Sequence, residues 1–161
     1  MAGSARIIGW LSGGLLMFIW LMVIRSYGTL PATIPVHFDA NGHADNWGPK
    51  ASIWVLPLLA SMLFGLFSLL HRYADKLPQR PGSGDPTRNL ALLRSLFLQL
   101  RLSICLVMAA GIYYSIGAAF RRDNAEPGFM VPFILLVMLA PVALFLFRFF
   151  DRKRRRPSGN Q

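Results

Sequence analysis

"ASIWVLPLLASMLFGLFSLL", residues 51–70, is a run of 20 residues without a single charge. An α-helix rises about 1.5 Å per residue and the hydrocarbon core of a bilayer is about 30 Å thick, so about 20 apolar residues cross it. Working outward, three more charge-free stretches meet that length: Ile7–Ile24 (18 residues), Leu102–Phe120 (19) and Gly128–Phe147 (20). The chain is 161 residues long and 54% apolar, too greasy for an ordinary soluble domain of that size. A soluble protein with four buried helices would need polar faces on them, and these stretches have almost none. An unpaired backbone amide in lipid costs several kcal/mol, so each span must be a helix.

The expected architecture is therefore all-α: a polytopic integral membrane protein, a four-transmembrane-helix bundle forming one domain over 1–161. The expected spans are 7–24, 51–70, 94–120 and 128–147. They are joined by an ordered outer loop at 26–50, a cytoplasmic loop at 71–93 and a short outer loop at 121–127, with a basic tail at 148–161. The first stretch reads as an uncleaved anchor. It is long for a signal-peptide core, and Arg25-Ser26-Tyr27 follows it instead of a small-x-small cleavage pattern.

Lysine and arginine set the orientation. Thirteen lie on the side of the termini and of loop 71–93, and four lie on the other. The positive-inside rule then puts both termini in the cytoplasm and segment 26–50 outside, as expected for a bacterial cytoplasmic (inner) membrane protein. The tail residues Arg152, Lys153, Arg154, Arg155 and Arg156 follow a span directly. Such a cluster fixes topology and touches anionic lipid, so membrane lipid is an expected partner and nucleic acid is not. Arg94 and Arg101 sit seven apart on one helical face ahead of the third span. They are expected to snorkel toward headgroups.

Small residues mark where helices touch: Gly9 and Gly13 on the first span, Ser61 and Gly65 on the second, Gly111, Ser115 and Ala118 on the third. The expectation is packing inside one bundle; a seam to another subunit is the alternative. No Asp, Glu, Lys, Arg or His is expected in the central part of any span, which argues against a pump or an ion-coupled transporter. Cys105 lies in the third span with no second cysteine to pair with, and reads as filler. No phosphate-binding Gly-Lys-Ser/Thr loop, nucleophile elbow or zinc-protease helix occurs, and no cofactor is expected.

The outer segment "LPATIPVHFDANGHADNWGPK", residues 30–50, is the one dense polar stretch in this apolar chain. Pro31 and Pro35 fix two backbone angles; Asn41-Gly42 is a turn signal and Gly48-Pro49 a second corner. Val36, Phe38 and Trp47 are too apolar for a solvated loop, so a compact element folded onto the outer end of the bundle is expected. His37, Asp39, Asn41 and Asp45 are expected to hydrogen-bond amides that an irregular backbone leaves unpaired. Lys50 and Trp54 would mark the membrane interface. Three functions compete. A non-enzymatic module could use the loop to bind or sense an extracytoplasmic partner such as a peptide. An accessory subunit could pack against a membrane protein partner. A metal-dependent enzyme could use His37, Asp39, His43 and Asp45 as ligands, though their spacing matches no known ligand signature. His37 as a catalytic base lacks a visible nucleophile.

The same segment resembles the N-terminal domain of unknown function in the SdpI-type family of bacterial membrane proteins. The resemblance rests on Leu30-Pro31, Ile34-Pro35, His37-Phe38, Gly42, Asp45, Trp47-Gly48 and Lys50. It covers the first span, the loop and the start of the second span. His43 is not part of the pattern. The resemblance implies a membrane module of the immunity type, protecting a cell from a secreted toxic peptide and relaying its presence to a cytoplasmic repressor. The second multi-span half of that family, with its Arg-Thr-Pro-Trp-like motif, has no counterpart here.

Overall fold

The computed structural model describes residues 2–39, 41–76, 86–121 and 130–154. Helix α1 (Ala2–Tyr27) leads into two short strands, β1 (Thr33–Phe38) and β2 (Ala44–Pro49). A 3-10 turn at Lys50–Trp54 then opens α2 (Val55–Arg72). A second 3-10 turn at Ala74–Lys76 precedes α3 (Pro86–Arg121), and α4 (Met130–Arg154) ends the described chain. Residues 77–85 of the expected 71–93 loop, residues 122–127 of the expected 121–127 loop and the tail residues Arg155 and Arg156 lie outside the described residues.

All four helices are long and apolar enough to cross a membrane, the make-up of a multi-pass membrane protein. Their surfaces agree: Trp10, Leu136 and Phe147 are 78%, 68% and 70% exposed. Contiguous exposed apolar surface on this scale does not suit a protein bathed in water. The helices overrun the expected limits. α3 has 36 residues, about 54 Å of helix, so it extends well beyond a 30 Å core. Residues 86–93, expected in a loop, are its first turns. α4 likewise continues through Arg152, Lys153 and Arg154, which were expected in the tail.

The core runs through α1, α2, α3 and the first strand. Ile19 and Val23 meet Leu30, Ile34, Ile53, Ala60, Cys105, Ile112 and Ala119 in one buried cluster. Cys105 is packed there as a small apolar side chain. α3 is the hub, packing against α1, α2, α4 and β1. The bundle is thus a three-helix core with α4 laid on α3.

Two expectations need correction. The chain is not purely helical, because residues 33–49 form an antiparallel hairpin. Thr33-Ile34-Pro35-Val36-His37-Phe38 is rich in β-branched and aromatic side chains, and Asn41-Gly42 supplies the reversal. Gly42 has φ 87°, a left-handed conformation open to glycine at no steric cost. The register slips between Pro35 and Phe38, where the proline cannot donate to the ladder.

The second correction concerns α3. Arg101 does not run out to the end of the bundle. It turns inward, with Nε donating to Ser12 Oγ on α1 at 3.1 Å and Nη1 to Ser68 Oγ on α2 at 2.9 Å. Its guanidinium also lies 4.6 Å from the centre of the Phe64 ring. Arg101 thus lies within the membrane-length segment Asn89–Phe120, one residue before its charge-free run. Arg94, two turns away, reaches Asp75 at 3.5 Å, and its carbonyl accepts a 3.0 Å hydrogen bond from His71 Nδ1.

Candidate functional site

The hairpin caps the end of the bundle where α1 stops and α2 begins. Its inner side is buried: Ile34 and Pro35 are sealed against the core. The carbonyl of Pro35 accepts a 2.7 Å hydrogen bond from the buried hydroxyl of Ser115 on α3. The 3-10 turn after β2 secures the other strand, since the Lys50 amide donates to the Ala32 carbonyl at 2.9 Å. Lys50 Nζ lies 4.9 Å from the centre of the Tyr27 ring. Trp54 packs 5.3 Å from Tyr27 and 6.1 Å from Trp20, centre to centre. Trp20 donates its indole N–H to Ser61 at 3.0 Å. This aromatic girdle joins α1 to α2 directly below the hairpin.

Asp39 builds the turn. One carboxylate oxygen accepts the amides of Asn41 and His43, both at 2.8 Å. The Asp39 amide donates to the His43 carbonyl and the Gly42 amide to the Asp39 carbonyl. The amide of His43, followed by that of Asn41, stabilises the charged carboxylate and holds Asp39 below the usual carboxylate pKa. Asp39 thus does the backbone work expected of it. Asn41, exposed at the tip, offers its own amide to Asp39.

His37 and Asp45 do something else. They face each other across the hairpin, Nδ1 to Oδ1, at 2.6 Å. They pair with one another and not with spare backbone amides, because the shifted register brings the two side chains onto one surface. A carboxylate only accepts, so His37 Nδ1 is the donor in this contact. The His37 side chain is 66% exposed. Val36 and Trp47 are also open to the surroundings, at 45% and 42%. Gly48 lies under Val36: a Cβ on Gly48 would stand 2.9 Å from Val36 Cγ1.

The remaining motif residues are structural neighbours of this surface. Pro31 and Phe38 are half-buried, Gly42 is buried in the turn, and Trp47 is the cross-strand partner of Pro35. His43 lies 3.5 Å from Asp39. The four residues considered as metal ligands therefore form two separate pairs. Among the described residues, no three His, Cys, Asp or Glu side chains converge as metal ligands would.

Several residues that matter here went unnoticed in the sequence as polar partners. Ser115 belongs to the small-residue stripe of the third span, and its hydroxyl also anchors the hairpin. Ser12 and Ser68 hold Arg101, and a serine in an apolar span facing a distant arginine leaves no sequence pattern. Gly9 and Gly111 sit inside the bundle, near Arg101 and Leu56 respectively. Gly13 and Gly65 have open space around them.

Comparison with known proteins places a boundary on this site. Residues 14–60 match the model for the Domain of unknown function (DUF1648). That stretch holds most of α1, the whole hairpin and the opening of α2. The chain is also similar to an uncharacterized protein of Archaeoglobus fulgidus, at 24% identity over 145 residues, covering 80% of this chain and 77% of the relative. No solved structure gives a significant match. The region similar to the domain thus coincides with the hairpin and the helix ends that carry it.

Proposed function

We propose that this chain is a non-enzymatic module of the bacterial cytoplasmic membrane whose hairpin binds or senses an extracytoplasmic partner, in the immunity and signalling manner of the SdpI-type family. The termini and the segment between α2 and α3 lie in the cytoplasm, following the excess of basic residues there. The observation that carries the reading is the exposed hairpin surface. It exposes Val36, Trp47 and the His37–Asp45 pair on a backbone fixed to the bundle. A rigid scaffold presenting apolar contacts with one oriented hydrogen-bonding group is how loops recognise peptides. The motif residues Pro31, Pro35, Phe38, Asn41, Gly42, Gly48 and Lys50 shape and hold this surface.

The test compares H37A, D45A and W47A with the wild type in a cell whose phenotype depends on the protein. The reading expects loss of phenotype or of partner capture with unchanged membrane levels. Loss of the folded protein in all three variants would instead make the motif purely structural.

A second reading, an accessory subunit of a larger membrane complex, draws on α4. That helix packs on α3 while Leu136 and Phe147 stay about 70% exposed. Purification in mild detergent decides it: a chain co-purifying in fixed ratio supports this reading, and a clean monomer removes it.

A further inference from the structure

Helices α1 and α4 both pack on α3, and a groove of about 350 Å³ runs where the three meet. Its floor is α3. Leu106, Ala109, Ala110 and Tyr113 recur there at i, i+3, i+4 and i+7, one stripe along the helix. The two alanines make the trough, because longer side chains at those positions would fill it. Phe18 and Met22 supply the α1 wall, and Phe133 comes from α4. The lining is almost wholly apolar, so water gains nothing by entering. Left empty, the groove would forfeit dispersion contacts along its length.

Dimensions select what fills it. Leu106 to Tyr113 covers about 10 Å of helix, some two-thirds of the roughly 15 Å of hydrocarbon in one leaflet. Spread over that length, the groove has a cross-section of roughly 30 Å², whereas a helix about 10 Å across needs about 80 Å². A further helix is too wide. A single hydrocarbon chain lying along the helix axes is not.

Charge completes the match. Arg25 stands seven residues beyond Phe18 and three beyond Met22, so it shares their face of α1, about one turn nearer the hairpin. It is exposed, in the last turn of that helix. Asp39 and Asp45, the acids of the hairpin at this end, are engaged by the turn amides and by His37. An apolar trough with a cation above its mouth is the complement of a lipid, which carries an anionic phosphate above an apolar tail.

We propose that the groove between α1, α3 and α4 binds one acyl chain of an anionic phospholipid, with the headgroup phosphate held at Arg25. The lipid belongs to the leaflet on the hairpin side. This inference rests on the four helices spanning a bilayer, but not on which side is outside, nor on the hairpin having a partner.

The test is native mass spectrometry of the full chain, purified in detergent, stripped of lipid and titrated with phosphatidylglycerol or phosphatidylcholine in separate arms. The wild type should take up one phosphatidylglycerol per chain at saturation. It should do so about fivefold more tightly than phosphatidylcholine, the preference expected of one basic residue. A110F fills the trough and should weaken both lipids at least tenfold. M22W fills it from α1 and serves if A110F does not fold. R25Q should bind the two lipids alike, and R25K should keep the preference. No saturable lipid on the wild type, groove-filling variants that bind as the wild type does, or an unchanged preference in R25Q would overturn the proposal. So would a dimer that excludes the lipid, which would give the groove to a second copy. Carbonate extraction of cell membranes separately tests the spanning reading: release of the chain would remove that foundation.

Discussion

Ser115 Oγ stands 2.7 Å from the carbonyl oxygen of Pro35, and this buried bond ties the longest helix to the first strand of the hairpin. Pro35 has no N–H to give a neighbouring strand, but its carbonyl still needs a donor. Ser115 supplies it where the C-terminal part of α3 meets β1. S115A leaves that carbonyl unpaired in a buried setting and should cost about 1–3 kcal/mol. Thermal unfolding of the purified variant checks this. Stability equal to the wild type would mean that the hairpin does not depend on α3.

Gly48 and Val36 make a second contact that can be tested as a pair. A methyl group on Gly48 would stand 2.9 Å from Val36 Cγ1, closer than side chains tolerate. Val36 is branched at Cβ and has little rotamer freedom to move away. G48A should therefore destabilise by about 1–3 kcal/mol, as overpacking does. V36A alone removes only a 45% exposed side chain and should be nearly neutral. The double variant should recover most of the loss, giving a coupling that a thermal double-mutant cycle reads directly.

Gly42 tests the turn itself. Its φ of 87° lies in the left-handed region. G42A must take up that strain, at about 1–2 kcal/mol. G42N should lose less, because asparagine tolerates the left-handed conformation better. Hydrogen exchange of the His43 amide, bonded within this turn, reports the effect.

Asp39 gives the hairpin an acid limb. Its folded pKa lies below the ordinary 3.8, chiefly because the His43 amide donates to the carboxylate. A depressed carboxylate contributes stability that is complete above the unfolded value and is lost as pH falls through the folded one. The hairpin should therefore be insensitive to Asp39 from neutrality down to about pH 4, and should loosen below it. D39N keeps an acceptor oxygen but cannot titrate. The difference between wild type and D39N in exchange of the Asn41 and His43 amides should vanish at the acid end.

Four membrane-length helices were legible in the sequence because each is a charge-free run of sufficient length, and that signal needs no tertiary knowledge. The ordered element between the first two was also legible, from prolines and aromatics where a solvated loop would have neither. Its strands were not. Six residues of β1 interrupted by Pro35 make a weak alternating pattern, and pairing depended on a slip in register that no local rule announces. The His37–Asp45 contact followed from that slip. Arg101 was misread for a different reason. Its seven-residue spacing from Arg94 suits a headgroup-facing stripe, and only the arrival of Ser12 and Ser68 from other helices turns it inward. Long-range hydrogen bonds between a serine and an arginine 33 or 89 positions away have no sequence signature.

The central claim is that the hairpin lies outside the cell while the basic ends of the helices lie within. Asn41, exposed at the hairpin tip, offers a place to ask. The single native cysteine, Cys105, is fully buried and gives little background. N41C should react with a membrane-impermeant maleimide in intact cells, to the same extent before and after permeabilisation. Labelling seen only once the membrane is opened would place the hairpin in the cytoplasm and contradict the account.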